Sequence, residues 1–239
     1  MIPSIDDLKI KIFADGADIA TMVKMADLAY IKGLTTNPTL MRKAGITDYK
    51  EFSSAILKEI RSKPISFEVF SDDFEEMKRQ ALEIAGWAEN VYVKIPITSS
   101  VGESTVQVVK YLVKNQVKVN VTALLTLDQV KSVVEVLDSN VPSYISVFAG
   151  RVADTGRDPI EIMTKSLELM KHNSNSELIW ASPRELLNIF HADRIGCHII
   201  TATSDILNKL ILVGKDLTGY SLETVQMFRN DALKSGYQI

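Results

Sequence analysis

Short runs rich in Val, Ile, Phe and Thr alternate along the chain with longer segments in which apolar residues recur at helical spacing. This alternation is typical of repeated strand–helix units around a parallel sheet. Eight runs predict strands, at Lys9–Asp15, Gly33–Asn37, Ile65–Phe70, Val91–Thr98, Val117–Leu124, Tyr144–Gly150, Glu177–Ser182 and Cys197–Thr203. Eight such units in 239 residues predict one domain over residues 1–239, a closed (β/α)8 barrel.

Helix-starting residues stand between these runs. Capping patterns predict three starts: Asp18 ahead of Ile19–Lys32, Asp72 with Glu75, and Thr126 with Gln129. First-turn prolines predict two more, at Pro159 and Pro183. Neither GxGxxG nor GxxxxGK is present, which disfavours an open, nucleotide-binding sheet.

Alternation within the strands predicts which side chains face the barrel interior. In the fourth run, Val91, Val93 and Ile95 form an apolar face, so Lys94 points inward with Tyr92. The same operation on other runs places further polar residues inside: Asp15, Glu68, Asn120, Thr122 and Ser146. It places apolar or aromatic residues there too, at Phe70, Leu124 and Tyr144. Barrel centres are normally apolar and active sites lie at the carboxyl ends of the strands, so this polar set predicts an active site.

The composition of the chain indicates which classes of binding partner to expect. The net charge is −3, and no basic stripe is present that would bind nucleic acid or an anionic membrane, so a small molecule is expected. The single cysteine, Cys197, excludes an internal disulfide and fits a reducing compartment. The segment Met1–Asp7 has no export-signal pattern, and a cytoplasmic protein is expected.

A lysine with apolar surroundings can attack a carbonyl as the free amine and form an imine. Glu68 and Thr122, one strand away on either side of Lys94, could hold a water that carries protons. Asp15 could remove the proton from a substrate hydroxyl. Metal catalysis is the alternative, but His172, His191 and His198 lack ligand spacing, so no metal is expected and structural or surface positions are predicted for them.

An anion site is predicted where the seventh run ends. Ser182 and Arg184 flank Pro183 at a predicted helix start, and Arg151 follows the sixth run. Helix N–H groups and guanidinium groups together favour a phosphate.

Three motifs resemble the transaldolase family, in its small-chain branch shared with fructose-6-phosphate aldolase. They are Gly33-Leu34-Thr35-Thr36-Asn37-Pro38, Val91-Tyr92-Val93-Lys94-Ile95-Pro96 and Ala181-Ser182-Pro183-Arg184, within a resemblance from about Phe13 through Ile206. The resemblance implies a (β/α)8 barrel, sugar-phosphate substrates, no cofactor, an imine on Lys94, and a homo-oligomer built as a ring of five or two paired rings.

Roles for individual residues follow from the same resemblance. Asp15 is similar to the proton-transfer aspartate, and Glu68 with Thr122 to the water-holding pair. The remaining residues are expected to contact substrate: Thr36, Asn37, Asn120, Ser146 and Phe148 beside the sugar, and Arg151, Ser182 and Arg184 at the phosphate.

Glu68 and Phe148 favour the transaldolase branch, since the aldolases carry Gln and Tyr there. The family usually follows its aspartate with Thr or Ser, whereas Asp15 precedes Gly16. The expected reaction is transfer of dihydroxyacetone between sugar phosphates. The alternatives are an aldolase that releases free dihydroxyacetone and a sugar-phosphate-binding barrel without catalysis.

The tail Leu217–Ile239 has apolar residues at near-helical spacing, namely Leu222, Val225, Phe228 and Leu233. A helix is predicted. It packs either on its own barrel or on a neighbouring subunit, and the pattern does not distinguish the two.

Overall fold

The computed structural model describes residues 4–5 and 7–238, so part of the segment Met1–Asp7 lies outside it. Its strands, in chain order, are β1 Lys11–Asp15, β2 Ile31–Thr35, β3 Ile65–Glu68, β4 Val91–Pro96, β5 Val119–Leu124, β6 Ser143–Val147, β7 Ser176–Trp180 and β8 Ile199–Thr203. Each strand pairs in parallel with the next, and β8 pairs with β1. The sheet is therefore a closed barrel, and the predicted fold is confirmed.

Helices follow the strands around the outside of the barrel. They are α1 Ile19–Ala26, α2 Pro38–Lys43, α3 Tyr49–Glu59, α4 Phe74–Ala85, α5 Val106–Lys114, α6 Leu127–Val134, α7 Ala149–Asp154, α8 Pro159–Met170, α9 Leu187–Arg194, α10 Ser204–Leu207 and α11 Leu217–Ser235, with a 3₁₀ helix at Asn208–Leu212. The larger core lies between these helices and the strands, and it contains Val91, Val93 and Ile95.

Aromatic side chains fill the part of the barrel interior nearer the amino-terminal ends of the strands. The Tyr92 and Tyr144 rings stack with their centroids 4.0 Å apart, and Phe13 meets Tyr144 edge-on at 5.8 Å. We call these three residues the aromatic floor. Gly33 makes room for it, because a Cβ there would lie 2.5 Å from the Phe13 ring. The inward direction predicted for Tyr92 and Tyr144 is consistent with this packing.

Strand alternation fails near two strand ends. Ala123 has a φ of 64° and the β5–β6 register shifts beside it, so Leu124 packs in the outer core rather than inside the barrel. Phe70, placed inside by the same rule, lies beyond β3 and is exposed. The rule assumes an extended backbone, which the chain has left at both points.

Several predicted boundaries are wrong. Strand β2 is Ile31–Thr35 rather than Gly33–Asn37, because the Asn37 side chain accepts a hydrogen bond from Leu40 N and caps α2. The helix predicted over Ile19–Lys32 ends at Ala26, and β2 begins five residues later. The run Tyr144–Gly150 splits into the end of β6 and the start of α7.

Three of the predicted helix starts are confirmed. Asp18 caps α1, Thr126 and Gln129 form a capping box on α6, and Pro159 begins α8. The start predicted at Asp72 is wrong by one residue. Asp73 caps α4, whereas the Asp72 carboxylate accepts hydrogen bonds from Ser100 in the neighbouring loop after β4.

Helix α11 stands apart from the helical ring, because none of its residues is buried. Leu222, Val225, Phe228 and Leu233 are each 58–64% exposed. This chain's own barrel therefore does not cover the apolar positions of the tail. No helix in the described part of the chain is long and apolar enough to cross a membrane.

Candidate active site

Lys94 lies inside the barrel near the carboxyl end of β4 and is 6% exposed. Its Nζ donates a hydrogen bond to the Thr36 carbonyl at 2.8 Å and lies 3.4 Å from Glu68 Oε2. Glu68 stands beside it because β3 and β4 pair with Glu68 opposite Lys94. Lys94 and Glu68, both predicted to face the barrel interior, thus form an ion pair.

Asp15 ends β1 and accepts two hydrogen bonds in the same interior. Thr35 Oγ1 donates to its Oδ1 at 2.8 Å, and Asn37 Nδ2 donates to its Oδ2 at 3.0 Å. Burial raises the pKa of Asp15, while the charge of Lys94 and these hydrogen bonds act in the opposite direction. A carboxyl group with a raised pKa accepts a proton more readily, which suits a general base.

A chain of polar contacts links β3, β5 and β6. Asn120 Nδ2 donates to Ser66 Oγ at 3.0 Å, and Ser146 Oγ donates to Asn120 Oδ1 at 2.7 Å. All three residues are buried. The network fixes the Asn120 amide and the Ser146 hydroxyl on the interior face predicted for them.

Thr122 lies on β5 across from Pro96 of β4 and is 3% exposed. Its Oγ1 is one of the few buried side-chain oxygens of the described residues without a hydrogen-bond partner. An unpaired buried hydroxyl is costly, so a partner from water or a ligand is expected in the working molecule.

The residues of the predicted anion site lie in the loop after β7 and in α7. The helix start predicted at Pro183 is wrong. Residues 183–186 form a loop, and α9 begins at Leu187, because Asn188 Oδ1 accepts hydrogen bonds from Arg184 N and Glu185 N. Arg184 is exposed, and Asp154 of α7 accepts from its Nε at 2.9 Å and its Nη2 at 2.5 Å. Arg184 therefore forms an ion pair with Asp154.

Arg151 of α7 and Phe148, the residue before this helix, lie at the same end of the barrel. The Arg151 guanidinium carbon lies 5.4 Å from the centre of the Phe148 ring. Phe148 packs against the interior cluster that includes the aromatic floor. Gly150 contacts the loop of the anion site, since a Cβ at this position would lie 1.5 Å from the Ser182 carbonyl oxygen.

His198 has the structural position predicted for it, and Cys197 is buried. His198 Nδ1 accepts a hydrogen bond from Leu178 N, and burial lowers the His198 pKa, so the ring is neutral. Burial also raises the pKa of Cys197 to about 12, and the thiol is free and buried. Within residues 4–5 and 7–238, no group of three His, Cys, Asp or Glu side chains is arranged to hold a metal ion.

Three further residues touch this site without having been expected from the sequence. Thr201 Oγ1 lies 2.6 Å from Thr35 Oγ1, Asp154 pairs with Arg184, and the Tyr49 hydroxyl contacts the Glu68 backbone. Thr201 falls on the inward face of the eighth run and could have been found by strand alternation. Asp154 and Tyr49 lie on helices, where alternation gives no signal.

Comparison with known families agrees with this geometry. A family profile described as "Transaldolase/Fructose-6-phosphate aldolase" matches residues 12–238. The chain belongs to this family. The match covers every strand of the barrel, with β1 entered at its second residue, and includes the residues gathered around Lys94.

Relatives within the family extend over nearly the whole chain. A "Probable transaldolase" of Thermoanaerobacter sp. (strain X514) is 32% identical over 231 residues, covering 96% of this chain and all of the relative. Another of Dehalococcoides mccartyi is 32% identical over 202 residues, covering 84% and 90%. One of Streptococcus agalactiae serotype V is 34% identical over 192 residues, covering 80% and 85%.

Solved structures share the fold at low identity. The 3-hexulose-6-phosphate synthase of Salmonella typhimurium aligns with a TM-score of 0.58 at 15% identity, covering 86% of this chain and 97% of its own. A putative phosphonomutase of Burkholderia cenocepacia J2315 aligns with a TM-score of 0.57 at 10% identity, covering 93% and 94%. These likenesses concern the barrel alone.

Proposed function

We propose that this protein is a transaldolase, which transfers a dihydroxyacetone unit from a ketose phosphate to an aldose phosphate through a Schiff base on Lys94. One observation carries the proposal: a buried lysine amine lies 3.4 Å from the Glu68 carboxylate, with Asp15 in the same interior. A barrel that only bound sugar phosphates would not require a nucleophile and two carboxylates together. The family and its relatives named "Probable transaldolase" support this reading.

In the first half of the reaction, the neutral amine of Lys94 attacks the ketone carbon of the donor. The carbinolamine loses water, and the resulting iminium withdraws electrons from the neighbouring bond. Glu68 and the Thr122 hydroxyl hold the water that carries protons in this step. The unpaired Thr122 Oγ1 supports that role, since a water between the two strands would satisfy it.

Asp15 then takes the proton from the substrate hydroxyl next to the bond that breaks. An aldose phosphate leaves, and the three-carbon fragment stays on Lys94 as an enamine. An acceptor aldehyde takes up this fragment, and hydrolysis of the new imine frees the product. Every proton in the cycle moves between side chains, water and substrate, so the proposed chemistry uses no cofactor.

The remaining side chains hold the substrate. The polar groups of Asn37, Asn120 and Ser146, with the Thr36 backbone, line the position of the three-carbon unit. Arg151, Ser182 and Arg184 receive the phosphate, and Arg184 then shares its guanidinium between phosphate and Asp154. We also place the protein in the cytoplasm, where its free thiol would stay reduced.

The test is reductive trapping. Fructose 6-phosphate and borohydride should fix a three-carbon adduct on Lys94, found by peptide mapping. Lys94→Ala should yield none. Lys118→Arg is the matched control: that lysine lies over the Tyr92 ring, near the aromatic floor, and its variant should still be labelled at Lys94. An adduct on another lysine, or turnover without any adduct, would refute the imine mechanism.

A further inference from the structure

The pairing between β2 and β3 stops one rung short of Glu68. Leu34 pairs with Ile65 and Thr35 with Ser66, and Thr36 N then donates to the Ser66 carbonyl at 3.3 Å. In a regular parallel ladder, a residue that donates in this way also accepts on the far side, two residues further along the partner strand. The next rung would therefore join Glu68 N to the Thr36 carbonyl.

That rung is replaced. The Thr36 carbonyl accepts from Lys94 Nζ at 2.8 Å, and Glu68 N donates instead to the Tyr49 hydroxyl at 2.8 Å. The same hydroxyl donates to the Glu68 carbonyl at 3.1 Å. A continued ladder would supply that second bond from the N–H of residue 38, but Pro38 has none. One phenol thus substitutes for a backbone acceptor and a backbone donor.

Tyr49 is held firmly for this task. It is the first residue of α3, directly after its cap Asp48. Its ring packs edge-on against Phe67, Phe70 and Trp87, with centroids 6.1, 4.5 and 5.6 Å away. Burial raises its pKa, so the phenol keeps the proton that it donates to Glu68.

We propose that Tyr49 is a positioning residue for the Schiff-base chemistry: its hydroxyl completes the hydrogen bonds of the Glu68 backbone and so leaves the Thr36 carbonyl free to orient the Lys94 amine. The inference rests on the proposed function. The hydrogen bonds of the Tyr49 side chain go to the Glu68 backbone, not to the lysine or to the Glu68 carboxylate. It acts through the backbone between them.

Loss of the hydroxyl has a defined structural consequence. In Tyr49→Phe, the ring keeps its three aromatic neighbours, whereas Glu68 N loses its acceptor. The acceptor that the regular ladder offers is the Thr36 carbonyl, so the Glu68 amide then competes with Lys94 for one oxygen. The amine loses its fixed direction, and imine formation slows even though the barrel stays folded.

The experiment measures borohydride trapping with saturating fructose 6-phosphate, recording both the final adduct per chain and the rate constant of its formation. For Tyr49→Phe we expect the same final adduct and a rate constant lower by about tenfold, as expected for loss of one hydrogen bond to a charged group. A purely structural role would reduce the final adduct, through misfolded chains, and leave the rate constant unchanged; that result would overturn the proposal.

Two controls complete the design. Tyr111→Phe removes a phenol from the outer face of α5, 40% exposed, and should match the unmodified chain in both readouts. Phe70→Leu removes an aromatic neighbour of Tyr49 but keeps the hydroxyl, and should change the rate constant far less than Tyr49→Phe. Failure of the proposed Schiff-base mechanism is distinguishable, since the unmodified chain would then form no Lys94 adduct at all.

Discussion

At the scale of single residues, we expect Glu68 and Phe148 to determine whether the proposed enzyme acts as a transferase or as an aldolase. Both face the interior that holds Lys94, and Phe148 packs beside the aromatic cluster with no hydroxyl to offer. Release of free dihydroxyacetone needs a proton donor for the enamine and a well-placed water. In the proposed reaction, the enamine therefore persists without that donor until an acceptor aldehyde arrives.

Phe148→Tyr should therefore increase acceptor-independent release of dihydroxyacetone relative to transfer, and the double change with Glu68→Gln should increase it further. A positioned proton donor typically contributes a factor of about 10²–10⁴, so a rise of at least about tenfold in the ratio is expected. The assay compares both rates, with and without acceptor aldehyde, in the unmodified chain, the two single variants and the double variant. A constant ratio would mean that these positions do not set the reaction type.

The sequence predicts interior residues well where the backbone is regular. Lys94, Glu68 and Asn120 all follow from alternation along extended strands. Leu124 does not, because the positive φ of Ala123 turns the chain over. Tyr49 could not be predicted either, since its role depends on where α3 places a phenol relative to a strand 19 residues away.

At the scale of elements, the predicted anion site depends on how closely α7 approaches the loop after β7. Gly150 N donates to the Ala181 carbonyl at 3.3 Å, and the Gly150 Cα faces the Ser182 carbonyl. Ser182 itself has a φ of 58°, an uncommon conformation for a residue with a side chain. The loop shape and the position of Arg184 thus depend on a residue without a Cβ.

Gly150→Ala should separate α7 from this loop, because its methyl group would stand 1.5 Å from the Ser182 oxygen. We expect a loss of about 1–3 kcal/mol in the free energy of unfolding, as for other overpacked contacts, and a raised KM for phosphorylated donors. Denaturant unfolding and donor kinetics measure the two effects. Gly86→Ala is the matched control: Gly86 ends α4 with a φ of −77°, and its new methyl would make only ordinary contacts.

Stability of Gly86→Ala should stay within about 0.5 kcal/mol of the unmodified chain. Equal losses in both glycine variants would show that close approach at Gly150 is unimportant.

The helix start predicted at Pro183 illustrates the limit of element prediction here. Proline fits a first helical turn, but the Asn188 side chain fixes the preceding backbone as a loop, and this tertiary contact outweighs the local preference.

At the scale of the whole molecule, the exposed helix α11 calls for a partner. Its apolar positions are more than half exposed, and contiguous apolar surface of this kind usually marks an interaction site. We propose that the tail over residues 217–239 packs on a second copy of this chain and supports a homo-oligomer, a ring of five or two such rings. Residue 239 lies outside the described part of the tail.

A chain cut after Thr218 should sediment as an assembly of fewer subunits than the full chain forms. In the full chain, Leu222→Asp with Phe228→Asp should have the same effect, since each buries a charge in the expected contact. Asn230→Asp adds charge to an exposed polar position of the same helix and should leave assembly unchanged. Unchanged sedimentation of the cut chain would contradict this role for α11.

The aromatic floor has a consequence for the order of events. Phe13, Tyr92 and Tyr144 pack together in the barrel interior on the amino-terminal side of Lys94, so we expect substrates to reach the lysine through the mouth at the carboxyl ends of the strands. In the proposed reaction, the departing aldose and the incoming acceptor then share one passage and must use it in turn. The bound fragment waits on the lysine while that passage is open to water. The lifetime of the bound fragment, compared with the rate of its hydrolysis, determines what fraction is transferred to the acceptor.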